Sequence, residues 1–442
     1  MSGQRSFAGP SVLDEQGLAL GLAPALTPQG FDQDPSFFTG FAVRPIVLAR
    51  GLLTLADITA SRYFQYTPSS QRDPVLTANG DRLRAECFSA CNSVYARLDL
   101  LAPGFDGGDI AHGTTNVDLG PDIRALLAGL GRAELLRLRV GSDGLHAATP
   151  AAQASERPVN MPDRWVRALG NLAEGHRALA PALELGAADA RALLAEVPAA
   201  SAAGKTLWLT PARSGLRLGT RPTPTGISLP GPHRLSAAKR LLTHVRGAAL
   251  YTGDAGSLAV EFRLPDARLT LGLTAEAWQG HSGEGALLGQ LAAPERLADA
   301  ELLGALLAFE PVIDLGRLQR ESGLSAERAT GALAVLAASG RVGWDLHDGA
   351  HFHRELPDHP ERATRDQPRL VRARRLVAAG LVRATGPGEW TVTGDGGSSD
   401  ATVRTGAGSA SCSCTWFLRH GSGRGPCAHL LAVQLTTRET HA

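Results

Sequence analysis

The feature that most constrains this chain lies near its C-terminus: Cys412-Ser-Cys414, a loop, then Cys427-Ala-His429. Three of the five cysteines fall here, as two closely spaced donor pairs. A tetrahedral zinc ion takes four soft or borderline ligands, and paired thiolates with an imidazole supply them. The set closes at Cys3His and leaves no position for water or substrate, which points to a structural site. The expectation is one structural Zn2+ held by Cys412, Cys414, Cys427 and His429.

Local sequence fits that geometry. Ala401–Thr405 and Ala410–Phe417 read as strands rich in Thr, Val and aromatics. On an extended strand Cys412 and Cys414 point to the same side and grip one ion. Pro426 precedes the second pair and Leu430–Leu435 follows it, the pattern of a helix start. Cys427 then sits at a helix N-terminus, whose positive end favours a thiolate. His420 in the intervening loop is an alternative donor outside the two pairs.

CxC–loop–CxH on a strand–strand–helix frame resembles the SWIM zinc finger, over roughly residues 385–437. The four ligands match that motif without departure. The resemblance implies a small ββα module associated with binding nucleic acid or protein.

Composition bounds the rest. The chain has 442 residues and a net charge of +1, enough for two to four domains and without a global basic field. Lys205 and Lys239 are the only lysines, so arginine carries nearly all positive charge. With abundant Ala, Gly and Leu, this fits codon usage in a GC-rich bacterial genome. Cysteines gathered in a metal motif fit a reducing cytoplasm. No apolar leader or membrane-length apolar run is present in the sequence, so a cytoplasmic protein is expected.

Residues 1–30 are rich in Gly and Pro and read as loosely ordered. From Pro45 an almost wholly apolar helical pattern reaches Tyr63-Phe64, the mark of a buried helix. Leu83–Ser89 and Ser93–Leu100 alternate like a hairpin around Ala90-Cys91-Asn92. Cys87 and Cys91, spaced CxxxC without histidine partners, read as packed core thiols. Gly113–Asp118 is a polar cluster in which Asn116 and Asp118 serve either a site or a turn with a helix cap. This N-terminal block resembles, more loosely, larger bacterial SWIM-containing proteins. That resemblance implies partners of two classes, a MoxR-type AAA+ ATPase and a von Willebrand A protein.

Met161–Val197 reads as two Ala/Leu-rich helices. Ala199–Thr206 matches a relaxed P-loop, with Ala in place of the first Gly. A working P-loop runs strand, loop, helix, so that helix N–H groups face phosphate. Here a helix precedes and a strand follows, and nucleotide binding is rejected. Gly215–Leu218, Ala248–Tyr251, Leu258–Leu264 and Ala267–Leu273 read as strands, the last two joined by Pro265-Asp266.

Leu297–Phe309, Asp314–Ser322 and a helix capped by Ser325 precede two strands flanking Asp348-Gly349, a hairpin signal. Helix, helix, turn, helix and hairpin resemble a winged helix-turn-helix. Its third helix offers Glu327 beside Arg328 and then mostly Ala and Gly, a thin footprint for reading DNA. Protein docking is weighed slightly higher. His347, His351 and His353 read as polar residues of a solvated wing. Arg362, Arg365, Arg369, Arg372, Arg374, Arg375 and Arg383 then crowd the next segment, with Arg419, His420 and Arg424 in the finger loop and Trp390 and Trp416 nearby. These form either a phosphate-binding strip or a face that pairs with an acidic partner.

The chain is therefore expected to be an α+β multidomain protein. The segments are a loose stretch at 1–30, an N-terminal α+β domain at 31–150, and a helical connector at 151–200. A β-rich middle domain at 201–294, a winged helix at 295–357, an arginine-rich helical segment at 358–384 and the finger at 385–442 follow. No nucleophile–base set or paired carboxylates are readable. The leading expectation is a non-catalytic zinc-binding adaptor in an ATPase-linked bacterial system. The alternative is a DNA- or RNA-binding protein. Candidate binding residues under either reading are Arg328, Arg369, Arg372, Arg374, Arg375, Arg419 and Arg424.

Overall fold

The computed structural model describes short strands at Val12–Asp14, Gly17–Ala19, Ala25–Thr27 and Gly30–Asp32. It then describes residues 36–441 apart from 65–73, 132–133, 160, 162, 203–204, 213–214, 254–255, 294, 308, 355–366, 395–398 and 407–408. Arg362 and Arg365 of the basic strip lie outside the described residues.

Helix and sheet are mixed, as an α+β chain requires, and the centre is one antiparallel sheet of eight strands. Its order is His112–Asn116, Val75–Asn79, Arg82–Phe88, Val94–Leu101, Ala267–Leu273, Leu258–Leu264, Gly247–Thr252 and Ala180–Gly186. The seam pairs Leu98 with Leu269 and Ala96 with Leu271. The segments 31–150 and 201–294 are thus two halves of one sheet rather than separate domains. The segment 151–200 is also more than a helical connector. Between helices Asp163–Arg177 and Ala187–Glu196 it supplies the edge strand Ala180–Gly186. A smaller five-stranded sheet joins Ser36–Ala42 and Phe105–Ile110 to the hairpins of 137–156. The P-loop-like stretch has the order expected of a decoy: helix Ala187–Glu196 before it, strand Leu207–Ala212 after it.

Alternation along the strands builds two different faces. Leu83, Ala85, Val94, Ala96 and Leu98 share one face. It packs on helix Pro45–Thr59, where a methyl group added at Gly51 would meet Leu98. Cys87 is buried there too, its Sγ 3.8 Å from the Leu55 carbonyl, as a packed thiol. The other face carries Arg84, Glu86, Tyr95, Arg97, Asp99 and Thr270, all essentially inaccessible.

Helix Asp163–Arg177 and the hairpin Val342–Asp345/Ala350–His353 cover this charged face. Asp345 lies 2.7 Å from Arg84 and 2.8 Å from Arg97, and Asp99 takes both arginines at 3.1 and 2.9 Å. Arg354 grips Glu86 at 2.6 and 2.8 Å, while the Tyr95 hydroxyl donates to the same carboxylate at 2.6 Å. Burial would raise the Asp345 carboxyl, but Arg97, Arg84 and Arg268 outweigh it and hold it well below the ordinary range.

Helices Glu295–Leu306, Leu315–Ser322 and Ala326–Ala338 precede this hairpin in the expected order. Asp314 and Ser325 cap the second and third: their side-chain oxygens accept from Arg317 N and Arg328 N. The solvated wing is corrected, however. His351, His353 and Arg354 are 7%, 2% and 1% exposed. The hairpin supplies the countercharges that the sheet's polar face needs, and so it lies on that face.

Candidate metal centre

The finger is a four-stranded antiparallel sheet, Val382–Gly386, Glu389–Val392, Ala401–Gly406 and Ser409–Cys412, with helices Thr415–His420 and Ala428–His441. The second stretch expected as strand, Ala410–Phe417, ends early. Cys412 closes the strand, and Cys414 starts a helix by accepting the Phe417 N–H on its Sγ at 3.4 Å. Cys427 does the same for the last helix. Its carbonyl receives Leu431 N at 3.0 Å and its Sγ receives Leu430 N at 3.5 Å. Two cysteines thus sit at helix N-termini, where amide dipoles favour a thiolate. The third, Cys412, accepts Cys414 N at 3.5 Å.

The helix starting at Ala428 exists because it buries Leu430, Leu431, Ala432, Val433 and Leu435. They pack on Ala401 and Val403 of the sheet and on Leu370, Ala373 and Leu376 of helix Pro368–Ala378. That packing brings His429 to the cysteines. The ligand atoms of Cys412, Cys414, Cys427 and His429 all lie within 4.8 Å of one another. Cys412 Sγ and His429 Nδ1 are 3.7 Å apart. Zinc bonds of about 2.0–2.3 Å give donor–donor edges of about 3.3–3.8 Å, so the ion fits with small rotamer changes.

The donor chemistry also asks for a cation. The neighbouring Cys412 thiol pushes the Cys427 thiol down to about 4, while Cys427 and burial push the Cys412 thiol up. His420 is no part of the set. Its ring lies 5.1 Å from Trp416 and 6.4 Å from Trp278.

The candidate arginines divide. Arg369 donates to the carbonyls of Arg424, Pro426, Gly283 and Glu284 at 2.8–3.2 Å and stacks over Trp416 at 4.6 Å. Burial lowers its pKa to about 10. Arg424 pairs with Glu284 at 3.1 Å, and Arg328 pairs with Asp299 at 2.5 Å. These three, expected to face a ligand, hold the chain together. Arg372 is half-buried and engaged within the chain. Arg374, Arg375 and Arg419 are exposed, with no ion pair among the described residues. The third helix, Ala326–Ala338, is buried from Gly331 onward and shows solvent only its first turn. Asn116, the other candidate, ties its amide to the Val159 carbonyl at 3.0 Å.

No curated protein matches this chain. Among solved structures, the proliferating cellular nuclear antigen of Entamoeba histolytica is similar over 54% of this chain and 99% of that one, at 11% identity and a TM-score of 0.38. A PCNA2–PCNA3 complex of Sulfolobus tokodaii is similar over 54% of this chain and 100% of that one, at 9% identity and a TM-score of 0.40. Residues 390–436 match the SWIM zinc finger family, and within them Cys412, Cys414, Cys427 and His429 form the ligand set of one structural zinc.

Proposed function

We propose that this chain is a non-catalytic, zinc-stabilised adaptor of a bacterial ATPase-linked system, working in the cytoplasm and docking protein partners. Among the described residues no helix is long and apolar enough to cross a membrane. One observation carries the reading. The hairpin that follows the helices ordered like a winged helix-turn-helix turns His351, His353 and Arg354 inward onto the sheet, while the finger and the loop beside it each hold one large apolar side chain outward. Leu418 is 74% exposed and Trp278, beside the finger's His420, is 52% exposed. Exposed aromatic and aliphatic anchors at a fixed surface suit a protein interface.

The partner class implied by the resemblance is a MoxR-type AAA+ ATPase with a von Willebrand A protein. The test is capture of the purified host ATPase by the zinc-loaded chain. Binding weakened about tenfold or more by Trp278→Ala with Leu418→Ala supports the adaptor. Equal binding by that variant removes it.

Exposed Arg374, Arg375 and Arg419 support a second reading, nucleic-acid binding. It requires an affinity for oligonucleotides that falls steeply with salt and is lost when these three become Ala.

A further inference from the structure

A cleft of about 570 Å³ separates the finger from the core. The finger loop, residues 420–424, forms one wall. Leu172, Leu179, Leu258 and Leu273 form the apolar part of the other, with His176 and His281 between them. The size falls in the range of ligand sites.

The polar groups are built in. His176 is 5% exposed, its ring set edge-on to Tyr95 at 5.7 Å; its Nε2 lies over Gly272, where an added methyl would come within 2.5 Å. Asn171 donates its amide to the His281 carbonyl at 3.0 Å, and its buried Oδ1 has no hydrogen-bond partner among the described residues. Burial holds His281 at about 4 and His176 well below its ordinary value, so both rings are neutral near pH 7.

Charge decides what such a cleft can take. Inside, Arg424 and Glu284 cancel. No other Arg, Lys, Asp or Glu stands among the described residues that line it. Nothing there tracks a phosphate backbone, which needs several unpaired cations. An uncharged side chain flanked by peptide amides meets the leucines, the neutral imidazoles and the Asn171 carbonyl. Trp278 stands next to the cleft, its ring 6.4 Å from that of the cleft residue His420.

We propose that this cleft is the docking pocket for a protein partner, which inserts an uncharged apolar side chain between the finger loop and the core. The inference rests on the adaptor reading and names its surface. It also makes docking depend on zinc, because the wall at 420–424 is strung between Cys414 and Cys427.

The test titrates the full, zinc-loaded chain with N-acetyl-leucinamide, N-acetyl-phenylalaninamide, N-acetyl-aspartamide and a short oligothymidylate, reading the Trp278 indole N–H signal by NMR. The two apolar amides are expected to shift it saturably, with dissociation constants of about 1 mM. Ala286→Phe, a change at an exposed cleft residue, and zinc chelation should each weaken this about tenfold or more. No saturable shift by the apolar amides, or preference for oligothymidylate at the same signal, overturns the proposal. Zinc content and circular dichroism check that Ala286→Phe is folded; if it is not, the wild-type titration with and without chelator decides. ATPase capture is scored separately. An ATPase that binds Ala286→Phe as well as wild type keeps the adaptor and removes the cleft. A wild-type chain that binds no ATPase ends the adaptor reading while the amide titration still judges the cleft.

Discussion

Arg424, in the loop between the two zinc-ligand pairs, sets its guanidinium 3.1 Å from the carboxylate of Glu284 in the body of the chain. Arg369 reinforces the tie by donating to carbonyls on both sides of it. The finger is therefore no appended bead. Its residues Cys412, Cys427 and Leu431 belong to the same apolar cluster as Leu333 and Leu336 of helix Ala326–Ala338 and Ala173 of helix Asp163–Arg177.

Metal analysis should find one zinc per chain, and Cys414→Ser should lose it. Structural zinc supplies about 10–16 kcal/mol in small fingers, far more than the packing of one helix replaces. Amides of 428–435 should lose hydrogen-exchange protection, while those of 258–273 in the central sheet keep it. Wild-type protein without zinc, or a protected finger in Cys414→Ser, would contradict the assignment.

Gly425→Ala should detach the finger loop without removing a ligand. Gly425 has φ +77, and a Cβ there would overlap the Gly285 carbonyl oxygen. Left-handed backbone costs a non-glycine residue about 1–2 kcal/mol before the clash is counted. A loss of about 2–4 kcal/mol in chemical denaturation is expected, with zinc still bound. Arg369→Ala should cost a similar amount, since four carbonyls lose a charged donor.

The zinc ligands were legible because the information is local: two donor pairs, a loop and a helix start. Five strands of the central sheet were legible, with Leu258–Leu264 and Ala267–Leu273 found at their bounds, whereas Val75–Asn79, His112–Asn116 and Ala180–Gly186 were not. Its assembly was not legible either. Pairing Leu98 with Leu269 leaves no mark in either neighbourhood. Alternation in Leu83-Arg84-Ala85-Glu86 correctly signals a strand, but the usual inference that charges face water fails here. The compensating Asp345 and Arg354 arrive from a hairpin far along the chain. Thr415–His420 was hidden because its helix cap is a cysteine sulfur, not the Ser, Thr, Asp or Asn that marks most caps.

Stability should fall as pH drops from neutral toward 4, before most carboxylates titrate. Burial holds His281 at about 4 and His351 and His353 at about 3, against an ordinary 6.5. Below about pH 6.5 the unfolded chain binds protons that the folded one refuses, so stability is full above that value and declines below it. Each such histidine adds a slope of up to about 1.4 kcal/mol per pH unit. His281→Asn should reduce the slope between about pH 5 and 6 by close to one proton, measured by denaturation at fixed pH values. An unchanged slope would mean that His281 titrates normally in the fold.

Below pH 4 the dependence should pass to Asp345. Its folded carboxyl is held below the unfolded value by Arg97, Arg84 and Arg268, so its contribution is present above about pH 4 and is lost as pH falls further. Asp345→Asn preserves shape but leaves Arg84 and Arg97 facing Asp99, and Arg268 facing Asp348 and Asp99. Removing one partner from a buried ion network costs about 3–5 kcal/mol, because the remaining charges stay desolvated. The variant should unfold at correspondingly lower denaturant at pH 7 and show a flatter acid limb below pH 4. Arg97→Met alone should also destabilise, and the double variant should lose less than the two singles summed, since each removes part of the same network. Strict additivity would show that the hairpin is held by its apolar residues, with Phe352 rather than Asp345 as its anchor.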